Sequence, residues 1–339
     1  MKRVAILAVV LVVCSCDHTK PFSVEDPGSV GPSSGAPPIQ LTFSSGEDRQ
    51  PSASSEAIVY SRLEPGRSDS DRCIAVLPAG GGTLLGAFCA RGAYADSMVD
   101  AWVEPAVSPD GRLAYVRDQG RPLGMGPSTR RVVVTPLENP DSILFDLAIP
   151  LELADGRRAT AVQQVSWPAP GTLRFLVGED VFVVNPPAQP DTGFNPYRVV
   201  DVAVPSGARR EYAATEGTSF YANAPDGGIW YTRALELHHL PLGSDTAQLV
   251  GSFTGPVISM AAVGGQPAAV VLRTVLNPVG IVTLMWTEVE RLDPVTGLPT
   301  GSQRTPGFAG RINGVPGTQR IVAEIIEGNQ IDLWLLAIQ

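Results

Sequence analysis

An internal repeat constrains this chain more than any other feature. The segment Pro105-Ala106-Val107-Ser108-Pro109-Asp110-Gly111-Arg112-Leu113-Ala114-Tyr115-Val116-Arg117 returns 116 positions later as Ala224-Pro225-Asp226-Gly227-Gly228-Ile229-Trp230-Tyr231-Thr232-Arg233. A half-way copy runs from Ser166 to Leu176, and an earlier one, with its turn eroded, from Pro51 to Arg62. Weaker copies at Val263–Leu272 and Val315–Ala323 make six units. Six units in the roughly 300 residues after position 38 give about 50 residues each, the length of a four-stranded blade.

The chemistry of the unit agrees. Proline presets φ, aspartate bonds its own backbone and glycine supplies positive φ, so Ser108, Pro109, Asp110 and Gly111, and later Pro225, Asp226 and Gly227, are structural turn residues. The strand after each turn is apolar at nearly every position, which requires burial on both faces. A further strand is expected in each unit, at Ile74–Leu77, Val132–Val134, Val181–Val184, Leu235–Leu237, Val289–Leu292 and Leu333–Leu336. Gly328-Asn329 reads as a two-residue hairpin turn. With 35 glycines and 31 prolines scattered throughout, few stretches are long enough for helices. The expectation is an all-β, six-bladed propeller of four-stranded antiparallel blades. The sixth unit lacks an outer strand, and Ile39–Phe43 has no partner of its own, so the N-terminal strand is expected to close the last blade.

The N-terminus carries a second signal. Met1-Lys2-Arg3 followed by the apolar run Val4–Val13 forms the start of a secretory signal, too short to span a bilayer. Val13-Cys14-Ser15-Cys16 resembles a bacterial lipobox, which implies lipidation of Cys16 as the new N-terminus; Val13 before Cys14 departs from the small residue that pattern needs. The expected organisation is a signal peptide over 1–15, a Ser/Gly/Pro tether over 16–38 and the propeller over 39–339. The tether has too few large apolar residues to fold. Its Gly31-Pro32-Ser33-Ser34-Gly35 matches the G-x-S-x-G pattern without the strand and helix that would expose a nucleophile.

The repeat can then be compared with known families. Pro-x-x-Ser-Pro-Asp-Gly-Arg-x-x-Tyr at 105–115, preceded by Leu-Thr-Phe at 41–43 and followed by an Asp-Leu-Trp strand at 332–334, resembles the TolB-type, WD40-like propeller repeats, over residues 38 to 339. The resemblance implies an envelope protein that works through protein binding.

Candidates for chemistry are few. The formal charge is −9, or −11 once Lys2 and Arg3 leave with the signal peptide, which disfavours nucleic acid as a partner. His238 and His239 are strand neighbours pointing to opposite faces, and no acidic run suggests a metal site, so no catalytic, cofactor or metal residues are expected. Asp48 and Asp100 are placed ahead of strands. Cys73 and Cys89 flank a Gly80-Gly81-Gly82 turn and form either a disulfide, favoured in an oxidising compartment, or two buried thiols. The expectation is a lipid-anchored membrane protein facing the periplasm, an interaction scaffold with an envelope protein partner and no enzymatic activity. The alternatives are a small-ligand or glycan site at the channel, using Trp102, Trp167 or Trp230, or a hydrolase or lyase in that channel.

Overall fold

The computed structural model describes residues 37–43, 47–63, 72–89, 99–120, 129–183, 191–277, 280, 282–328 and 330–338. The signal peptide, Cys16, Ser33 and most of the tether lie outside them.

Six four-stranded antiparallel sheets follow one another along the chain, the first five running in sequence order from inner to outer strand. Blade 1 consists of Asp48–Ala53, Ala57–Leu63, Arg72–Pro78 and Gly86–Phe88. Blade 2 consists of Val99–Val107, Arg112–Gly120, Thr129–Pro136 and Phe145–Ile149. Blade 3 is Ala161–Ala169, Thr172–Val183, Asp191–Ala203 and Arg209–Tyr212. Blade 4 is Tyr221–Asn223, Ile229–Arg233, Glu236–Leu240 and Gln248–Ser252. Blade 5 is Val257–Val263, Gln266–Leu276, Val282–Leu292 and Pro299–Arg304. Blade 6 takes Phe308–Gly314, Arg320–Glu327 and Gln330–Ala337 from the C-terminal end and Ile39–Gln40 as its fourth strand. Ile39 pairs with Leu335 and Gln40 with Trp334, so the N-terminal strand closes the ring.

The core explains the unbroken apolar strands. Buried side chains fall into six clusters, one between each pair of neighbouring blades. Along the second strand of blade 1, Ile58 and Tyr60 pack with Val322 and Leu333 of blade 6, while Ala57 and Val59 pack with Trp102 and Tyr115 of blade 2. The strand keeps its two-residue period and buries both faces. Each fully buried Val, Ile or Leu side chain contributes about 1.5–3 kcal/mol, so stacking of blades is the main source of stability.

The turns behave as their residues dictate. Ser108 Oγ accepts the Arg112 amide at 2.8 Å, Gly111 sits at φ +77°, and Arg112 pairs with Asp110. In blade 4, Gly228 N donates to Asp226 Oδ1 at 2.9 Å and Gly227 sits at φ +80°. Gly328 lies at positive φ, with Glu327 paired to Gln330 across the turn. Cys73 and Cys89 are joined by a disulfide with a Cα–Cα distance of 4.5 Å.

Two placements differ from the sequence reading. Val181–Val183 belong to the second strand of blade 3, and its third strand is Asp191–Ala203. That second strand is twelve residues long and passes beyond the inner strand, which pairs no further than Gly178, so one continuous strand had looked like two. Asp48 and Asp100 lie within inner strands, not ahead of them.

Candidate functional site in the central channel

An inner strand has a neighbour on one side only, so the six innermost edges turn unpaired backbone groups toward the channel. Buried N–H groups need partners. Here they find them on the next blade.

The inner strands of blades 1, 2 and 3 each bulge at an equivalent position, and the first bulge residue takes left-handed φ: Gln50 at 56°, Glu104 at 54° and Gln164 at 56°. The bulge turns each long polar side chain along the circumference. Gln50 Oε1 accepts the Glu104 backbone N–H at 2.9 Å, Glu104 Oε2 accepts that of Gln164 at 2.6 Å, and Gln164 Oε1 accepts that of Tyr221 at 3.2 Å. In blade 6, Glu324 on the second strand takes the corresponding role and accepts the Gln50 N–H. Gly310 makes room for it, since a Cβ there would stand 2.5 Å from Glu324 Oε2.

A second tier runs in the same direction. Ser52 Oγ accepts Val107 N–H at 3.2 Å, Ser259 Oγ accepts Ile312 N–H at 3.1 Å, and Asn313 Oδ1 accepts Ala53 N–H at 3.0 Å. Blades 1, 2, 3, 5 and 6 thus each fasten the edge of the blade that follows.

Arg311 crosses the channel. Its guanidinium donates to Glu104 Oε2 at 2.5 Å and to Gln163 Oε1 at 3.2 Å, linking blade 6 to blades 2 and 3. Burial works to lower the Arg311 pKa, but the charges of Glu104 and Glu324 and the bond to Glu104 outweigh it and hold the group above its ordinary value. Burial pushes the Glu324 carboxyl up, against the pull of the Gln50 amide and of Arg311.

Beside this waist, toward the turns that join first and second strands, lies a cavity of about 210 Å³. All six inner strands line it, and Ser54, Pro109, Trp167, Asn223, Asn313 and Pro316 surround its lower part. Asn313 Oδ1 is held by Ala53 and Asn223 Oδ1 by Arg174 Nη1 at 3.1 Å, which leaves both amide nitrogens as donors for an occupant. Arg174 is itself buried and forks onto Asp201 at 2.7 and 2.9 Å.

The expected site residues are dispersed. Pro109 reaches the cavity, whereas the blade 4 turn residues Pro225, Asp226 and Gly227 do not line it. Of the three tryptophans, only Trp167 lines it, its Nε1 donating to Ala106 O at 3.1 Å and its face covered by Arg112 at 4.9 Å. Trp102 stacks on Tyr115 between blades 1 and 2, and Trp230 is buried between blades 4 and 5. His238 pairs with Glu236 and stacks on Tyr231, while His239 pairs with Asp226. Among the described residues no three His, Cys, Asp or Glu side chains converge as a metal site would require. The sequence reading missed the waist. Its one signal is a long polar residue before proline in Gln50-Pro51 and Glu104-Pro105, and blade 3 repeats the bulge with valine at Val165.

Fold and channel together define a six-bladed β-propeller. No protein-family model and no curated protein sequence matches the chain. Solved structures do, at low identity. The chain is similar to regucalcin, a calcium-binding protein from Agrobacterium tumefaciens, at TM-score 0.51 and 13% identity over 90% of this chain and 94% of that one. It is similar to the β-propeller domain of Myceliophteria thermophila Cps50 (Swd1) at TM-score 0.52 and 10% identity, over 87% and 98%. It is also similar to Trypanosoma rangeli sialidase at TM-score 0.53 and 11% identity, over 86% of this chain and 54% of that one. The last finding corrects the expectation of no enzymatic activity. A protein named as a sialidase has a similar ring, so the scarcity of motifs here is no argument against catalysis. At these identities the likeness shows the fold alone.

Proposed function

We propose that this protein is a lipid-anchored envelope propeller of the TolB-like kind, held to a membrane through Cys16 and acting as an interaction module for an envelope protein on the periplasmic side. The observation that carries the binding role is the waist. Gln50, Glu104, Gln164, Arg311 and Glu324 are engaged with one another and with neighbouring backbone, so the surfaces open to a partner are the turns and hairpins at the two ends of the ring. The Val13-Cys14-Ser15-Cys16 pattern and the tether after it support the address.

A second reading has its own observation. The free amide nitrogens of Asn223 and Asn313, with Trp167 beside them, suit a small neutral polar ligand such as a sugar in the cavity of about 210 Å³.

Intact-mass analysis of the protein from its native membrane tests the anchor. The proposal expects a mature chain beginning at a diacylglyceryl-modified Cys16, and an unmodified chain cut elsewhere would overturn it.

A further inference from the structure

The second and third strands of blade 5 outrun their neighbours. The inner strand pairs no further than Val271 and the outer strand no further than Glu288. Beyond those points Arg273 pairs with Trp286, Thr274 with Met285, Val275 with Leu284 and Leu276 with Val282, forming a two-stranded ribbon that stands off the ring.

Its composition sets it apart. From Thr274 to Thr287 there are fourteen residues without one charge. Val275, Leu276, Val282 and Met285 are 44 to 56% exposed. Thr274 and Met285 stand on the opposite face from Val275 and Leu284, so apolar side chains are present on both faces. The equivalent ribbon of blade 3 carries Glu179 and Asp180, the latter paired with Arg130 at 2.7 Å.

The residues are also layered. The apolar pairs occupy the outer end. Trp286 comes next, donating from Nε1 to Glu288 at 2.9 Å with Arg304 over its ring at 5.4 Å. Arg273 stands opposite Trp286 in the ladder and reaches toward the ring to pair with Glu288 at 3.0 Å, which makes the base charged. Apolar tip, tryptophan collar and charged base follow the order of environments that a membrane interface offers: acyl boundary, headgroup level and water. A protein groove ordinarily covers one face of a strand pair, whereas lipid surrounds both. Among the described residues both ribbon edges lack ladder partners, which fits seating at the hydrated interface but not deep insertion.

We propose that the blade 5 ribbon docks on a lipid bilayer surface, inserting Val275, Leu276, Val282 and Met285 at the acyl boundary. The proposal rests on the anchored reading only for which membrane lies within reach. The residues from Asp17 to Pro38 could span about 75 Å when extended. The strands of blade 5 are about 37 Å long, so the ribbon can meet the membrane from which the tether starts.

The test uses the chain from Asp17 onward, exported to an oxidising compartment. The ring is complete within residues 37–338, so this chain keeps every contact described. Flotation with vesicles of neutral phosphatidylcholine, and with vesicles of phosphatidylethanolamine and phosphatidylglycerol, measures binding without any acyl anchor. The expected result is flotation with both, insensitive to salt, and a blue shift of tryptophan emission that Trp286→Phe removes. The double variant Leu276→Asp/Met285→Glu is expected to lower the floated fraction at least tenfold with an unchanged melting midpoint. Failure of the unaltered chain to float would overturn the proposal and favour a protein partner for the ribbon, and so would a variant that floats equally well. Loss of the anchored reading shows separately, as an unmodified Cys16 in the native protein.

Discussion

Glu104 of blade 2 and Arg311 of blade 6 meet across the channel at 2.5 Å, although blade 1 stands between their sheets. Glu104 also accepts the Gln50 side-chain amide at 2.9 Å and the Gln164 backbone N–H, so one carboxylate joins four blades. Glu104→Gln keeps the shape and removes the carboxylate with which Arg311 pairs directly. Removing one partner of such a pair is expected to lower stability by about 2–4 kcal/mol. Chemical denaturation of Glu104→Gln, Arg311→Gln and the double variant should show coupling, with the double variant costing less than the two singles added.

The left-handed bulges give a sharper test, because they reverse the usual order of glycine and alanine. Within a strand, glycine is ordinarily the worse replacement. At Gln164, with φ at 56°, alanine keeps the backbone strain and loses the bonds to Tyr221 and Ser219, while glycine loses the same bonds and relieves the strain. Gln164→Gly should therefore be more stable than Gln164→Ala by about 0.5–1 kcal/mol in paired unfolding curves.

How much of this was legible in the sequence follows from the physics of each feature. The ring was readable because Ser108-Pro109-Asp110-Gly111 and Ala224-Pro225-Asp226-Gly227 fix turns locally, and because strands such as Leu113–Val116 report burial on both faces. Closure by Ile39–Gln40 followed from counting strands. The waist was not readable, since its bonds join residues 54 to 274 positions apart and depend on how adjacent blades register. The length of the blade 3 and blade 5 ribbons was equally hidden, because an apolar run does not say where its neighbours stop.

The ring's closure is pH-sensitive at Asp332. The carboxyl accepts Gln40 Nε2 at 3.0 Å and Thr42 Oγ1 at 3.1 Å, fixing the N-terminal strand to blade 6. Burial, reinforced by the charges of Asp48 and Glu327 and only partly offset by those two bonds, pushes its pKa up to about 6. The folded state then holds this proton more tightly than the unfolded state. Asp332 therefore favours folding at low pH, and that contribution is lost as pH rises from about 4 through about 6. Melting midpoints between pH 4 and pH 8 should show a gain for Asp332→Asn over the wild type that is largest at the alkaline end and disappears toward pH 4.

The disulfide between Cys73 and Cys89 ties the third strand of blade 1 to the segment following its fourth, across a separation of 16 residues. A loop of that size is expected to contribute about 3 kcal/mol in the chain-entropy picture. The Cys73→Ser/Cys89→Ser variant should unfold at correspondingly lower denaturant, and reductant should shift the wild type but not the variant.

Crosslinking in the native envelope, with captured partners identified by mass spectrometry and Cys16→Ala as the control, tests the central claim most directly. An anchored interaction module predicts a reproducible envelope protein partner that is lost when the anchor is removed. A folded, intact protein that captures no partner, or captures the same one without Cys16, would contradict it.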